Sequence, residues 1–221
     1  MPASKSKAAE EMDELQSQLR PFLEQHNFRM RSRTCNRVTP DGLTHVINFQ
    51  MGRFDPPGTS YIPWFRKNLY GKFTVNVGVY IPEVFRLTHT VEPTSFIAEP
   101  DCCVRVRLGN LGPEHEDLWW KVRASPRMAA ELRLRLERDA IPFLKRLQSR
   151  DALLEELGKV EVTYGPGAPP RVICSIILAH RGQKGAARER LITQARKASR
   201  SDHMEYLKGL AGRLGLEPFD V

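Results

Sequence analysis

The sequence holds no run of about 18 apolar residues, which excludes a helix that crosses a membrane. Its opening, MPASKSKAAEEMDE, lacks an apolar stretch and carries acids early, so the chain is expected to be cytoplasmic and not exported. Cysteine is scarce, with 4 in all, and Cys35, Cys102, Cys103 and Cys174 include no pair at the CxxC spacing that lets two thiolates grip one tetrahedral metal. Adjacent Cys102 and Cys103 would point to opposite faces of a strand, and all four are expected as ordinary reduced thiols. The 6 histidines form no HxH, HxxxH or HExxH arrangement. No G-x-S-x-G elbow, phosphate-cradling glycine loop or dinucleotide fingerprint occurs, and the GPG at 165–167 and GQKG at 182–185 read as turns. No catalytic residue, metal ligand or cofactor is therefore assigned.

What is present is ordinary globular material. The chain has 221 residues, 41% of them hydrophobic and 27% charged. A chain of this length buries roughly 70 to 75% of its unfolded surface, enough for a core without metal or disulfide staples. Its 34 Lys+Arg against 26 Asp+Glu give a formal charge of +8.

Met12, Leu15, Leu19 and Phe22 form the stripe of an amphipathic helix, with a kink or a second helix expected at Pro21 and a left-handed stop at Asn27. From Phe28 the period becomes two, with Phe28, Met30, Ser32 and Thr34 on one face and Arg29, Arg31 and Arg33 on the other, which predicts one strand. Thr39-Pro40-Asp41-Gly42 has the chemistry of a type I turn and leads into a second strand over 43–52, completing an antiparallel hairpin. Residues 53–71 are read as a long ordered loop carrying Tyr61, Trp64, Phe65 and Tyr70. Strands follow over 72–81 (KFTVNVGVYI) and 102–108, with a short edge strand over 118–122. Ser125 and Pro126 open a long helix kinked near Pro142, and a short helix over 151–157 precedes Gly158. The TYGPGAPP stretch reads as a turn or linker. Over 171–181 β-branched residues favour a strand, while Ile173, Ile176, Ile177 and His180 make a helical face; helix is the preferred reading. Two more helices are expected near 185–198 and 201–214.

The pieces FLEQHNFRMRSRTCNRV, HVINFQ, FTVNVGVY and AIPFLKRL resemble a bacterial family catalogued as domain of unknown function 4304. The resemblance spans most of the chain up to the Gly/Pro linker. It implies an α+β domain with an antiparallel sheet and carries no established reaction. A glycine often stands in that family where this sequence has Asn27, and Asn is the next residue suited to a left-handed stop.

Three features bear on function. Asn48 and Gln50 alternate with Ile47 and Phe49, and Asn76 stands among valines; amides inside strands must satisfy their hydrogen bonds, either with a ligand or across strands. The ladders Arg29/Arg31/Arg33 and Arg105/Arg107 suit anions if they share one sheet face, or else form a solvated or acid-covered face. Between 181 and 200, Arg181, Lys184, Arg188, Arg190, Arg196, Lys197 and Arg200 face a lone Glu189, a solvated helix face with general affinity for polyanions.

The sequence thus predicts an α+β fold with a four- or five-stranded antiparallel sheet, helices packed on one face and a C-terminal helical extension. Its segments are a sheet domain over 1–160, a Gly/Pro linker over 161–170 and helices over 171–221 packed on the sheet domain. The leading functional expectation is a non-catalytic module that binds a protein partner or anionic ligand through Arg29, Arg31, Arg33, Asn48, Gln50, Trp64, Asn76, Arg105 and Arg107. Two alternatives stand beside it: weak nucleic-acid association through Arg188, Arg190, Arg196 and Lys197, and an enzyme with a site near the amide-bearing strands.

Overall fold

A computed structural model of the chain describes residues 5–52, 69–89, 92, 94–160 and 168–220. Tyr61, Trp64 and Phe65 of the expected aromatic loop, and positions 161–167 of the expected linker, lie outside the described residues; Tyr70 is described and exposed.

The fold is α+β. Helix α1 (Lys7–Gln25) is followed by strands β1 (Arg29–Arg31), β2 (Thr34–Val38), β3 (Thr44–Met51) and β4 (Lys72–Tyr80), then helix α2 (Pro82–Thr88), strand β5 (Val104–Arg107), a single turn α3 (Leu108–Leu111) and strand β6 (Trp120–Lys121). Helices α4 (Pro126–Arg135), α5 (Ile141–Arg146), α6 (Arg150–Gly158), α7 (Pro170–His180), α8 (Lys184–Ala195) and α9 (Ser201–Arg213) complete the chain. The strands form an antiparallel sheet in the order β1-β2-β3-β4-β5, with β6 paired to β4.

The expected single strand after Phe28 is two strands. Arg31 pairs with Thr34 and Met30 with Cys35, so Ser32 and Arg33 are a two-residue hairpin turn. Ser32 takes φ 51°, the left-handed conformation that turns matching the strand twist require at their first position. With no glycine there, the turn leaves no mark in the sequence.

By internal contacts the chain divides into two compact units. The first comprises Met1–Arg37, Val46–Val77 and Val106–Phe143. Its core takes the α1 stripe of Met12, Leu15, Leu19 and Phe22 together with Cys35, Ile47, Phe49, Phe73, Val75 and Val77. α1 is one helix with Pro21 inside it, capped at its start by the Ser6 hydroxyl, and Asn27 takes φ 61° just after it, the expected left-handed stop. α4 begins at the Ser125 cap and runs into a π-helical turn over Leu136–Ala140 before α5. That widened turn precedes Pro142, whose ring removes an amide donor, and is the local form of the expected kink.

The second unit comprises Val38–His45, Gly78–Arg105 and Leu144–Val221. Here the helix reading of 171–181 holds: Val172 to Leu178 are all buried, and α7 packs on α2, α6 and α8. A helix apolar all round belongs in an interior, and its β-branched residues serve burial. Gly78 is required by close approach, since a Cβ there would lie 2.8 Å from the Cβ and Sγ of Cys102.

Candidate functional site

In the first unit a polar row runs across four strands. Residues paired across an antiparallel ladder project to the same face, so the pairs Arg31–Thr34 and Arg29–Asn36 place both arginines beside Thr34 and Asn36. The Thr34 hydroxyl accepts from Asn48 Nδ2 at 2.9 Å, and that amide also donates to the Arg33 carbonyl at 3.3 Å. Asn76 Nδ2 donates to Gln50 Oε1 at 2.8 Å and, at 3.5 Å, to Asn48 Oδ1. The three amides are thus satisfied in part by one another across strands. This bonding leaves an exposure gradient along the row: Asn76 is buried, Asn48 half-buried, and Gln50, Arg29 and Arg31 exposed. Among the described residues neither Arg29 nor Arg31 is in an ion pair. Thr74, two residues before Asn76 on β4, has a fully buried hydroxyl with no hydrogen-bond partner among the described residues.

The other predicted site residues part from this row. Arg33 lies in the hairpin turn, so it does not extend a three-residue arginine ladder, and its carbonyl is occupied by Asn48 and by the Phe49 amide. Arg105 and Arg107 are on β5, at the opposite end of the strand order from β1, and both are neutralised. Buried Glu99 takes Arg105 Nε at 2.7 Å and Nη2 at 3.0 Å. Arg107 pairs with Asp117 and lies over the Trp119 ring, its guanidinium carbon 5.2 Å from the ring centre. Trp64 lies outside the described residues.

The basic segment is also partly spent. Arg181 pairs with Asp151, Arg200 with Asp202, and Arg188 donates to the carbonyls of Glu217 and Pro218. Arg196 and Lys197 are exposed and Arg190 half-buried.

An ionic cluster in the second unit has no signature in the sequence. Arg150 donates from Nε and Nη2 to both oxygens of buried Glu83, at 2.7 and 2.8 Å, and its Nη1 lies 3.3 Å from Asp41 Oδ2. Burial pushes the Glu83 carboxyl upward, yet the hydrogen bonds from Arg150 and from backbone outweigh it and hold the group below its usual value. Asp41 also caps the start of α6 through the Arg150 amide, at 2.6 Å. A cleft of about 240 Å³ opens beside Glu83, with His180 and Arg213 among its lining, but both Glu83 oxygens are already taken by Arg150. His45 is fully buried with Nε2 3.1 Å from the Leu147 carbonyl. Burial pushes the thiols of Cys35 and Cys103 up to about 12, raises Cys102 well above the ordinary range and raises Cys174, so all four are protonated at neutral pH.

Residues 19–146 match the family described as Domain of unknown function (DUF4304), and the chain belongs to that family. No curated protein and no solved structure matches it.

Proposed function

We propose that this protein is a non-catalytic binding module whose polar sheet face in the first unit engages an anionic surface of a protein partner. The observation that carries the reading is the register of the β1–β2 hairpin. It sets Arg29 and Arg31 on the same face as Thr34, whose hydroxyl joins the amide row, and both arginines are exposed with no ion pair among the described residues. A pair of guanidinium forks without an ion pair among the described residues, on the face that carries the exposed Gln50 amide, suits carboxylates, which accept two parallel N–H bonds. The non-catalytic part is supported by the buried titratable groups described above: thiols held protonated, carboxylates bonded to arginine, and a buried imidazole set against a backbone carbonyl. Nucleophiles and general acids or bases need the opposite arrangement, with a perturbed group free to meet a substrate.

Isothermal titration calorimetry with poly-L-glutamate at low salt tests the proposal. The wild type should give a binding isotherm that Arg29→Glu/Arg31→Glu abolishes and that Arg188→Ala/Arg190→Ala/Arg196→Ala/Lys197→Ala leaves in place. Equal binding by the first variant and the wild type would reject the sheet face as the site.

A further inference from the structure

We propose that β1 receives an extended acidic segment of the partner as an added antiparallel strand, with side chains in the order acid, apolar, acid opposite Arg31, Met30 and Arg29. This rests on reading the polar face as the binding surface, and it names the chemistry of what is bound.

Among the described residues β1 ends the strand order and pairs on one side, with β2. In a two-residue hairpin the residues flanking the turn exchange both hydrogen bonds and the next pair exchanges none, so Arg31–Thr34 is the bonded pair and Met30–Cys35 the open one. The N–H and C=O of Met30 therefore point to the free edge, where an incoming strand takes its bonds. Met30 is half-buried, while Arg29 and Arg31 project together to the other face and are exposed.

The same charges decide which strand is welcome. A second copy of β1 added antiparallel would set Arg29 and Arg31 against Arg31 and Arg29, and like charges directly opposite are destabilising. Cations on a short edge strand are a common guard against self-pairing. An acidic strand reverses that term: each carboxylate meets one guanidinium while the residue between them lies beside Met30. The edge is closed to its own kind and open to a strand of opposite charge.

The test is fluorescence anisotropy with labelled Gly-Glu-Val-Glu-Gly, blocked at both ends, at 50 mM salt, against the full chain. Wild-type protein should bind it and ignore the Gly-Lys-Val-Lys-Gly peptide, whereas Arg29→Glu/Arg31→Glu should reverse that preference, which also shows that the variant folds. N-methylation of the valine removes the amide that would donate to the Met30 carbonyl and should weaken binding about tenfold, the value of one net hydrogen bond. Equal binding of methylated and unmethylated peptides would overturn strand addition while leaving an acidic partner on the polar face. No binding of the acidic peptide to wild type would overturn both, as would failure of the charge-reversed protein to prefer the lysine peptide.

Discussion

Glu83 and Arg150 form an ion pair largely withdrawn from water in the second unit. Glu83 is 6% exposed, and both its oxygens are bonded to a guanidinium that also reaches Asp41. Removing one partner of such a pair strands the other, which costs on the order of 3 kcal/mol. Glu83→Gln is predicted to lower stability by about that much at neutral pH, measured by urea unfolding. Because the folded carboxyl sits below its usual 4.5, its stabilisation is complete above that pH and is lost as pH falls through the depressed folded value. The variant should therefore show a flatter acid limb than wild type. The thiols carry the opposite sign: raised from 9.0 to about 12 at Cys35 and Cys103, they favour the fold below pH 9 and cease to do so as pH climbs toward 12. At pH 8 a disulfide reagent should find no fast-reacting thiol in the native protein and 4 after unfolding. One rapidly modified cysteine in the native state would contradict the burial described for all four.

Turns and close approaches fix the elements, and two of them make sharp predictions. Asn27 stands at φ 61°, where glycine is unstrained, so Asn27→Gly should stabilise by roughly 0.5 kcal/mol and Asn27→Ala should destabilise by about 1 kcal/mol. Gly78→Ala drives a methyl against Cys102 and should cost about 1–3 kcal/mol by thermal unfolding. Asn27 was legible in the sequence as a helix stop because local chemistry sets it, whereas the residue that crowds Gly78, Cys102, is distant in sequence and was not. The α1 stripe was legible because its period follows burial, and β4 because its run of β-branched residues suits a strand, although burial along it is continuous from Phe73 to Tyr80. The Ser32–Arg33 turn was not, because a serine forced to positive φ looks like a strand residue, and the missed turn made two strands read as one. The amide row was half legible. Asn48, Gln50 and Asn76 announce polar positions inside strands, but that they bond to one another follows from register, which a single sequence does not carry. Partners distant in sequence were illegible for that reason too: nothing near Arg150 points to Glu83, 67 positions away, or to Asp41.

Across the whole molecule, a charge of +8 invites a nucleic-acid reading, and the arrangement of the cations argues for a weak one. With Arg181, Arg188, Arg200 and Lys197 engaged by other groups of the chain, about three cations of the 181–200 segment remain for phosphates, so log affinity for duplex DNA should fall with log salt at a slope of roughly −3. A slope near −6 would mean that the paired arginines open to bind. The sheet face is expected to be the more discriminating, because two arginines without an ion pair among the described residues are held there in register beside an amide row already bonded within the first unit. Backbone amide NMR during titration with poly-L-glutamate tests this most directly. Binding at the sheet face predicts shift changes centred on residues 29–36 and 48–50, fading toward Asn76 and absent from 184–200. Changes confined to 184–200, with 29–36 unmoved, would contradict it.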